Sequence, residues 1–215
     1  DLMKVFFVVD TEKSALHTSA SQWCKKLGGN TLVASDFSSF RSLLNNLIVS
    51  APDVVFFSWR QVLDVAFLSK QNIKKLEQLV TKTKVLALIA DHTSNDPQRM
   101  MRDARLQQAK VGLVPVSQRL FDLYSNSGMH PIGILPDLPD IDLIREVRGQ
   151  DIPKEIDSVI WVGNSAWGKR QGYVDHKGLQ SKFEPFLGLA VQSNPSLKSV
   201  TIDSSSNRVN QGEVL

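Results

Sequence analysis

Short apolar runs alternate along this chain with segments whose apolar residues recur at helical spacing, and that alternation restricts the fold more than any other feature. Residues 4–9 (KVFFVV) read as a buried strand. Leu16, Ala20, Trp23 and Leu27 then recur at helical intervals, and Gly28-Gly29 stops that helix. Residues 31–34 form a short second strand, and Phe37, Phe40, Leu43, Leu44, Leu47 and Ile48 make the next apolar helix face. After Pro52-Asp53 come a third strand at 54–57, one or two helices over 61–82, and a fourth strand at 84–90. A helix over 97–108, a fifth strand at 111–116, a helix carrying Leu120, Phe121 and Tyr124, and a sixth strand at 132–135 complete the run. Strands separated by helices pair in parallel through right-handed crossovers. The expected fold class is therefore α/β, a doubly wound parallel sheet of Rossmann-like form over residues 1–135.

The pattern then changes. Residues 136–157 contain Pro136, Pro139, Gly149 and Pro153 among charges, which reads as an interdomain linker with one helical turn near Ile144. A second α/β unit is expected over 158–215. It holds a strand at 158–162, a long polar loop at 163–178, a helix face of Leu179, Phe183, Phe186, Leu187, Ala190 and Val191, and a strand at 199–202. Pro185 either kinks that helix or marks a later start. One helix and two strands cannot bury both faces of a parallel sheet. The second unit is thus expected to be partial.

Composition removes several classes of function. The 215 residues are 42% hydrophobic with a formal charge of +3, an ordinary globular balance. That charge is too small to argue for nucleic acid, and the chain carries no zinc spacing or RNA-binding signature. The single cysteine, Cys24, cannot form an intrachain disulfide and reads as a small core hydrophobe. No apolar stretch approaches the roughly 18 residues that span a bilayer. A cytoplasmic location is expected.

The segment most suggestive of chemistry is the loop between Gly163 and Gly178. It follows a strand and opens a helix. Small residues there let a ligand approach the backbone, and free N–H groups at a helix start suit a phosphate. Lys177 adds a full charge, and Lys169 and Arg170 lie in the same loop. Spacing leaves two readings open: a phosphate cradle, or a solvated loop with scattered basic residues.

The loop resembles the opening of the C-terminal domain in group 1 GT-B glycosyltransferases. There a strand ending in Val-Gly leads through a loop to Lys-Gly at a helix start, and Val162-Gly163 and Lys177-Gly178 match. The family often has Arg directly after the first Gly, where this chain has Asn164. The resemblance runs backward through Ser50 to Phe57, Val85 to His92, Val114-Pro115-Val116-Ser117, and Ile134-Leu135-Pro136-Asp137 at the crossing between domains. That last stretch departs from the family's Asn-Gly-Val-Asp. The order of these motifs carries the resemblance more than any one of them.

The resemblance implies a transferase that moves a sugar from a nucleotide-diphosphate donor to a hydroxyl acceptor, with retention of configuration and no obligatory metal or other cofactor. Its products would be glycans or cell-surface polysaccharide. Gly163, Asn164, Lys169, Arg170 and Lys177 become the donor-diphosphate site, and His92 the catalytic-site residue beside the donor sugar. The family's donor-binding glutamate pair lies late in its second domain, so residues 1–215 are expected to lack a complete active site.

Position alone adds further candidates. Asp91 and His92 follow the fourth strand, at the end of an open α/β sheet where ligands bind. A neutral imidazole there can hydrogen-bond a sugar hydroxyl; the bland alternative is a loop histidine ahead of the next helix. Asp10 and Thr11 follow the first strand at the same edge, with Ser14 as a helix cap. Trp59 and Arg60 follow the third strand, and either line an acceptor cleft or pack into the core. Arg99, Arg102 and Arg105 share a helix face that either meets an anionic membrane carrying a lipid-linked acceptor or is simply solvated. Peripheral contact with the inner membrane face is compatible with this.

A second function class stays open, a non-catalytic α/β small-molecule-binding or interaction module. A signalling receiver would need an acceptor aspartate at the end of the third strand, which here runs Phe57-Ser58-Trp59.

Overall fold

The computed structural model describes residues 3–90, 97–149, 158–163 and 179–203. The chain divides into two compact units, Asp1–Ile141 and Asp142–Leu215.

The first unit is built on a parallel sheet of β1 (Val5–Val9), β2 (Asn30–Val33), β3 (Val54–Phe57), β4 (Lys84–Ile89) and β5 (Gly112–Pro115). Their spatial order is β2-β1-β3-β4-β5. β1 is an interior strand, paired with β2 on one side and β3 on the other, and all five of its residues are buried. Strands buried on both faces read as continuous apolar runs, which is why residues 4–9 are so plain in the sequence. Side-chain alternation sorts the core into two layers. Phe6, Val8, Val55, Phe57, Val85, Ala87, Ile89 and Leu113 lie in one layer with helix residues such as Leu44, Leu76, Leu106 and Tyr124. Val5, Phe7, Val9, Leu86, Leu88 and Val114 lie in the other, with Ala20 of α1 (Ala15–Leu27). Phe7 and Phe56 stack in that second layer with ring centroids 4.6 Å apart.

The first layer is covered by α2 (Phe40–Ser50), a 3-10 stretch at Arg60–Leu68, α3 (Lys70–Val80), α4 (Pro97–Gln108) and α5 (Gln118–Asn126). Serines start four of the helices. Ser14, Ser39, Ser69 and Ser117 each accept a hydrogen bond from a backbone N–H of the first turn. α1 ends where Gly28 takes the left-handed conformation at φ 67°. Gly29 follows because a Cβ there would stand 2.9 Å from the Val5 carbonyl oxygen.

Two expectations are corrected here. Among the described residues the sheet has five strands, and 132–135 is not a sixth. That segment does run beside β5: the Ile132 N–H donates to Leu113 O, and the Leu135 N–H to Pro115 O, both at 3.0 Å. Three residues thus advance against two on β5, a bulge-like slip that prevents a regular ladder. The linker also begins later than 136. Residues 136–140 are pinned to α1. Trp23 Nε1 donates to the Pro136 carbonyl at 2.9 Å, the Leu138 N–H donates to Ser19 Oγ at 3.0 Å, and Gln22 Nε2 donates to Asp140 at 3.4 Å. The helix expected near Ile144 forms as α6 (Ile141–Arg148).

In the second unit β6 (Ser158–Gly163) pairs in parallel with β7 (Lys198–Asp203), from Ser158↔Lys198 to Gly163↔Asp203. A π-helical turn at Leu179–Phe183 leads into α7 (Glu184–Ser193). Pro185 stands in the first turn of α7, so it marks a start rather than a kink.

Candidate functional site

In an open parallel sheet the crevice lies beyond the carboxyl ends of the strands, where the strand order reverses; for the order found here that point falls between β1 and β3. The residues that leave those two strands therefore form the candidate site.

Asp10 ends β1. Its carboxylate accepts a 2.6 Å hydrogen bond from Ser14 Oγ, and the same hydroxyl accepts the His17 N–H at 3.1 Å. One side chain thus caps α1 and fixes the Asp10 carboxylate at the sheet edge. The intervening turn holds Lys13 at φ 58°, a conformation that L side chains adopt at a cost of about 1–2 kcal/mol. Thr11 is exposed beside it. The loop is therefore preset, acidic and hydroxyl-bearing. A carboxylate so placed accepts hydrogen bonds from ligand hydroxyls and opposes a phosphate.

From β3 the pairing continues one step further, since the Ser58 N–H donates to Val8 O at 2.8 Å. The Ser58 hydroxyl is buried, the residue being only 5% exposed, and it has no hydrogen-bond partner among the described residues. Leaving a buried hydroxyl unsatisfied costs about 1–3 kcal/mol. Ser58 lies at the strand-order reversal, where ligands of open α/β sheets bind. Sequence reasoning did not single it out. The only available signal was a polar residue directly after an apolar strand at this edge. Trp59 follows and is 36% exposed, enough to offer an aromatic surface.

Arg60 goes the other way. It is 2% exposed and its Nε lies 3.3 Å from the Asp103 carboxylate. Of the two readings open from sequence, the structure places it in the interior. Arg99 is likewise buried, donating to both Asp64 oxygens at 2.7 and 3.0 Å and through Nε to Asp103 at 3.0 Å. The expected basic helix face is therefore corrected to two exposed residues, Arg102 and Arg105. Tyr124 OH donates to the second Asp103 oxygen at 2.6 Å. Burial opposes the Arg99 charge, but its bonds to Asp103 and Asp64 outweigh that and hold the guanidinium charged. Burial, reinforced by the Asp103 charge, pushes the Tyr124 hydroxyl well above its ordinary value.

Two other groups are perturbed. Burial raises the Cys24 thiol to about 11, so it stays protonated and fits the expected core role. Desolvation raises the Asp137 carboxyl, partly offset by a hydrogen bond from Ser19.

Asp91, His92, Asn164, Lys169, Arg170 and Lys177 lie outside the described residues. Gly163 is the last residue of β6. Among the described residues no group of three or more His, Cys, Asp or Glu could hold a metal ion, and no helix is long and apolar enough to cross a membrane. Comparison of the chain with protein-family models, with curated proteins and with solved structures returns no match.

Proposed function

We propose that this chain belongs to a nucleotide-sugar glycosyltransferase of the GT-B kind, with its first unit on the acceptor side and its second opening the donor side. The observation that carries the reading is the rim between β1 and β3. It combines a fixed Asp10 carboxylate, a buried unpartnered Ser58 hydroxyl and a partly exposed Trp59. Carboxylates and hydroxyls recognise sugar hydroxyls, and an aromatic face covers the apolar side of a pyranose. In the loop after β1 the carboxylates of Asp10 and Glu12 outnumber the single basic residue, Lys13, which favours a neutral polyhydroxyl ligand over a phosphate. The motif order read from sequence adds the donor side, with Lys177 and its loop on the diphosphate and His92 beside the reacting sugar.

In this scheme Asp10 and Trp59 orient a carbohydrate or lipid-linked acceptor, and the donor sugar passes to its hydroxyl with retention. The donor is a substrate, and no cofactor is required. Arg102 and Arg105 would support contact with an anionic membrane at the cytoplasmic face.

The test is made on the full-length protein. Nucleotide diphosphate is titrated calorimetrically, and sugar transfer is followed with an acceptor panel. Lys177→Ala should weaken nucleotide binding by about 1.5–3 kcal/mol if a charged hydrogen bond is lost. His92→Ala should leave that binding intact and slow transfer. Ligand binding with no transfer to any acceptor would leave a non-catalytic binding module in place of the enzyme.

A further inference from the structure

We propose that Asp103 is a positioning residue for the β1/β3 rim, acting through Arg60 and the Arg99–Asp64 pair to hold the Ser58–Trp59 step in place. The proposal rests on the reading that this rim binds the acceptor.

Asp103 is completely buried on α4. One of its oxygens takes Arg99 and faces Arg60, and the other takes the Tyr124 hydroxyl. Arg99 in turn grips Asp64 with two bonds. Four charges and a phenol thus join the 3-10 stretch, α4 and α5. Arg60 is the first residue of the 3-10 stretch, directly after Trp59. Asp64 lies one turn further along it. The cluster therefore clamps the segment leaving β3 at its first turn and again one turn later.

Stability alone is a poor reason for such a cluster. Each buried ion loses several kcal/mol of hydration, and well-packed apolar residues commonly replace a buried pair without loss. The surrounding layer supplies apolar neighbours in abundance, Leu63, Ala66, Leu106 and Leu120 among them. Directional bonds do what leucines cannot: they fix one orientation of the segment. That segment begins where an exposed aromatic and an unpartnered hydroxyl must be held. A misplacement of about 1 Å at a binding site can cost on the order of a hundredfold in rate.

The test uses the full-length protein with every tryptophan except Trp59 replaced by Phe, Trp23, Trp161 and Trp167 among them, so that Trp59 is the reporter. Asp103→Asn keeps shape and removes the charge; Tyr124→Phe removes one bond and leaves both arginines paired. Acrylamide quenching of Trp59, thermal unfolding, and KM and kcat for donor and acceptor are measured for each. Expected for Asp103→Asn is a rise in Trp59 quenching below the unfolding transition, with acceptor KM raised about tenfold and donor KM unmoved. Tyr124→Phe should move the same quantities in the same direction by less. A folded Asp103→Asn protein with unchanged Trp59 quenching overturns the proposal. Should that variant not fold, unchanged quenching in Tyr124→Phe overturns it instead. If quenching rises but the parent protein shows no transfer, the positioning role stands and the glycosyltransferase reading is what fails.

Discussion

The two units spend the same grammar of strand, helix and parallel strand to opposite effect. In the first, β1 is flanked on both sides, and helices cover both layers, so Val5, Phe7, Val8 and Val9 are wholly buried. In the second, β6 has one partner among the described residues, and α7 has no buried residue. Phe186 and Leu189 on α7 are 57% and 66% exposed. The difference teaches that a βαβ repeat is only a local rule. It makes a core when enough strands accumulate for each helix to have a sheet beneath it.

The same substitution in each unit tests this most directly. Leu44 of α2 is wholly buried in the large layer. Leu44→Ala should cost about 2–5 kcal/mol, from lost transfer energy and the cavity left behind. Leu189→Ala on α7 should change stability by no more than about 0.5 kcal/mol. Urea denaturation of the two variants gives both numbers. Equal losses would mean that Leu189 is covered and that the contrast between the units is false.

Next in size is the helix start at the rim. Ser14→Ala removes the α1 cap and the bond that fixes Asp10. The expected loss is about 1 kcal/mol, within a range of roughly 0.5–2 for such caps. Ser14→Asp should restore the cap but place a second carboxylate against Asp10, recovering less than Ser14→Thr. Thermal unfolding of the three variants separates cap from carboxylate. A Ser14→Asp protein as stable as the parent would mean that Asp10 is not held where the hydrogen bond has it.

A gain is expected in the second unit. Gly188 lies inside α7, and a Cβ there would meet nothing within 4 Å. Gly188→Ala should stabilise that helix by about 0.5–1 kcal/mol, because glycine loses more backbone freedom on folding. Circular dichroism during thermal unfolding would show it. A loss would indicate a neighbour packed against that face.

Much of this was legible in the chain, for reasons that differ by element. β1, β3 and β4 stood out because strands buried on both sides must be apolar throughout. The helix start at Ser14 followed from cap chemistry, and the sheet edge bearing Asp10 and Trp59 followed from strand direction. What failed needed a third dimension. Residues 132–135 carry strand-like apolar alternation, and only their one-residue slip against β5 excludes them from the ladder. Arg99 shares helical spacing with Arg102, yet it points at Asp64 and Asp103. Periodicity gives a helix faces but does not say which one meets another buried charge. Arg60 was ambiguous for the same reason. Ser58 was passed over because an unsatisfied hydroxyl is defined by what surrounds it, and a sequence does not list surroundings.

The smallest effect concerns where the first unit ends. Residues 136–140 are bonded to Ser19, Gln22 and Trp23, so their stability should be that of the first unit. Asp137 reports on this. Desolvation against α1 raises its carboxyl in the folded state, and the Ser19 bond at 3.3 Å offsets that only in part. An acid with a raised folded value binds its proton more tightly folded than unfolded. Stability therefore increases as pH falls through the interval just above the ordinary carboxylate range, and is lost as pH rises through it. Asp137 is also substantially solvent-accessible, so water screens the effect and keeps it slight. Asp137→Asn keeps the Ser19 acceptor and removes the titration. Relative to the parent, the variant should gain a little stability at neutral pH and none in acid, measured as the difference between their urea midpoints across that interval. A difference confined to the transition of the second unit would move residues 136–140 out of the first. A difference of opposite sign would mean that the folded carboxylate is favoured at this position, and that its contact with α1 is not the desolvating one described.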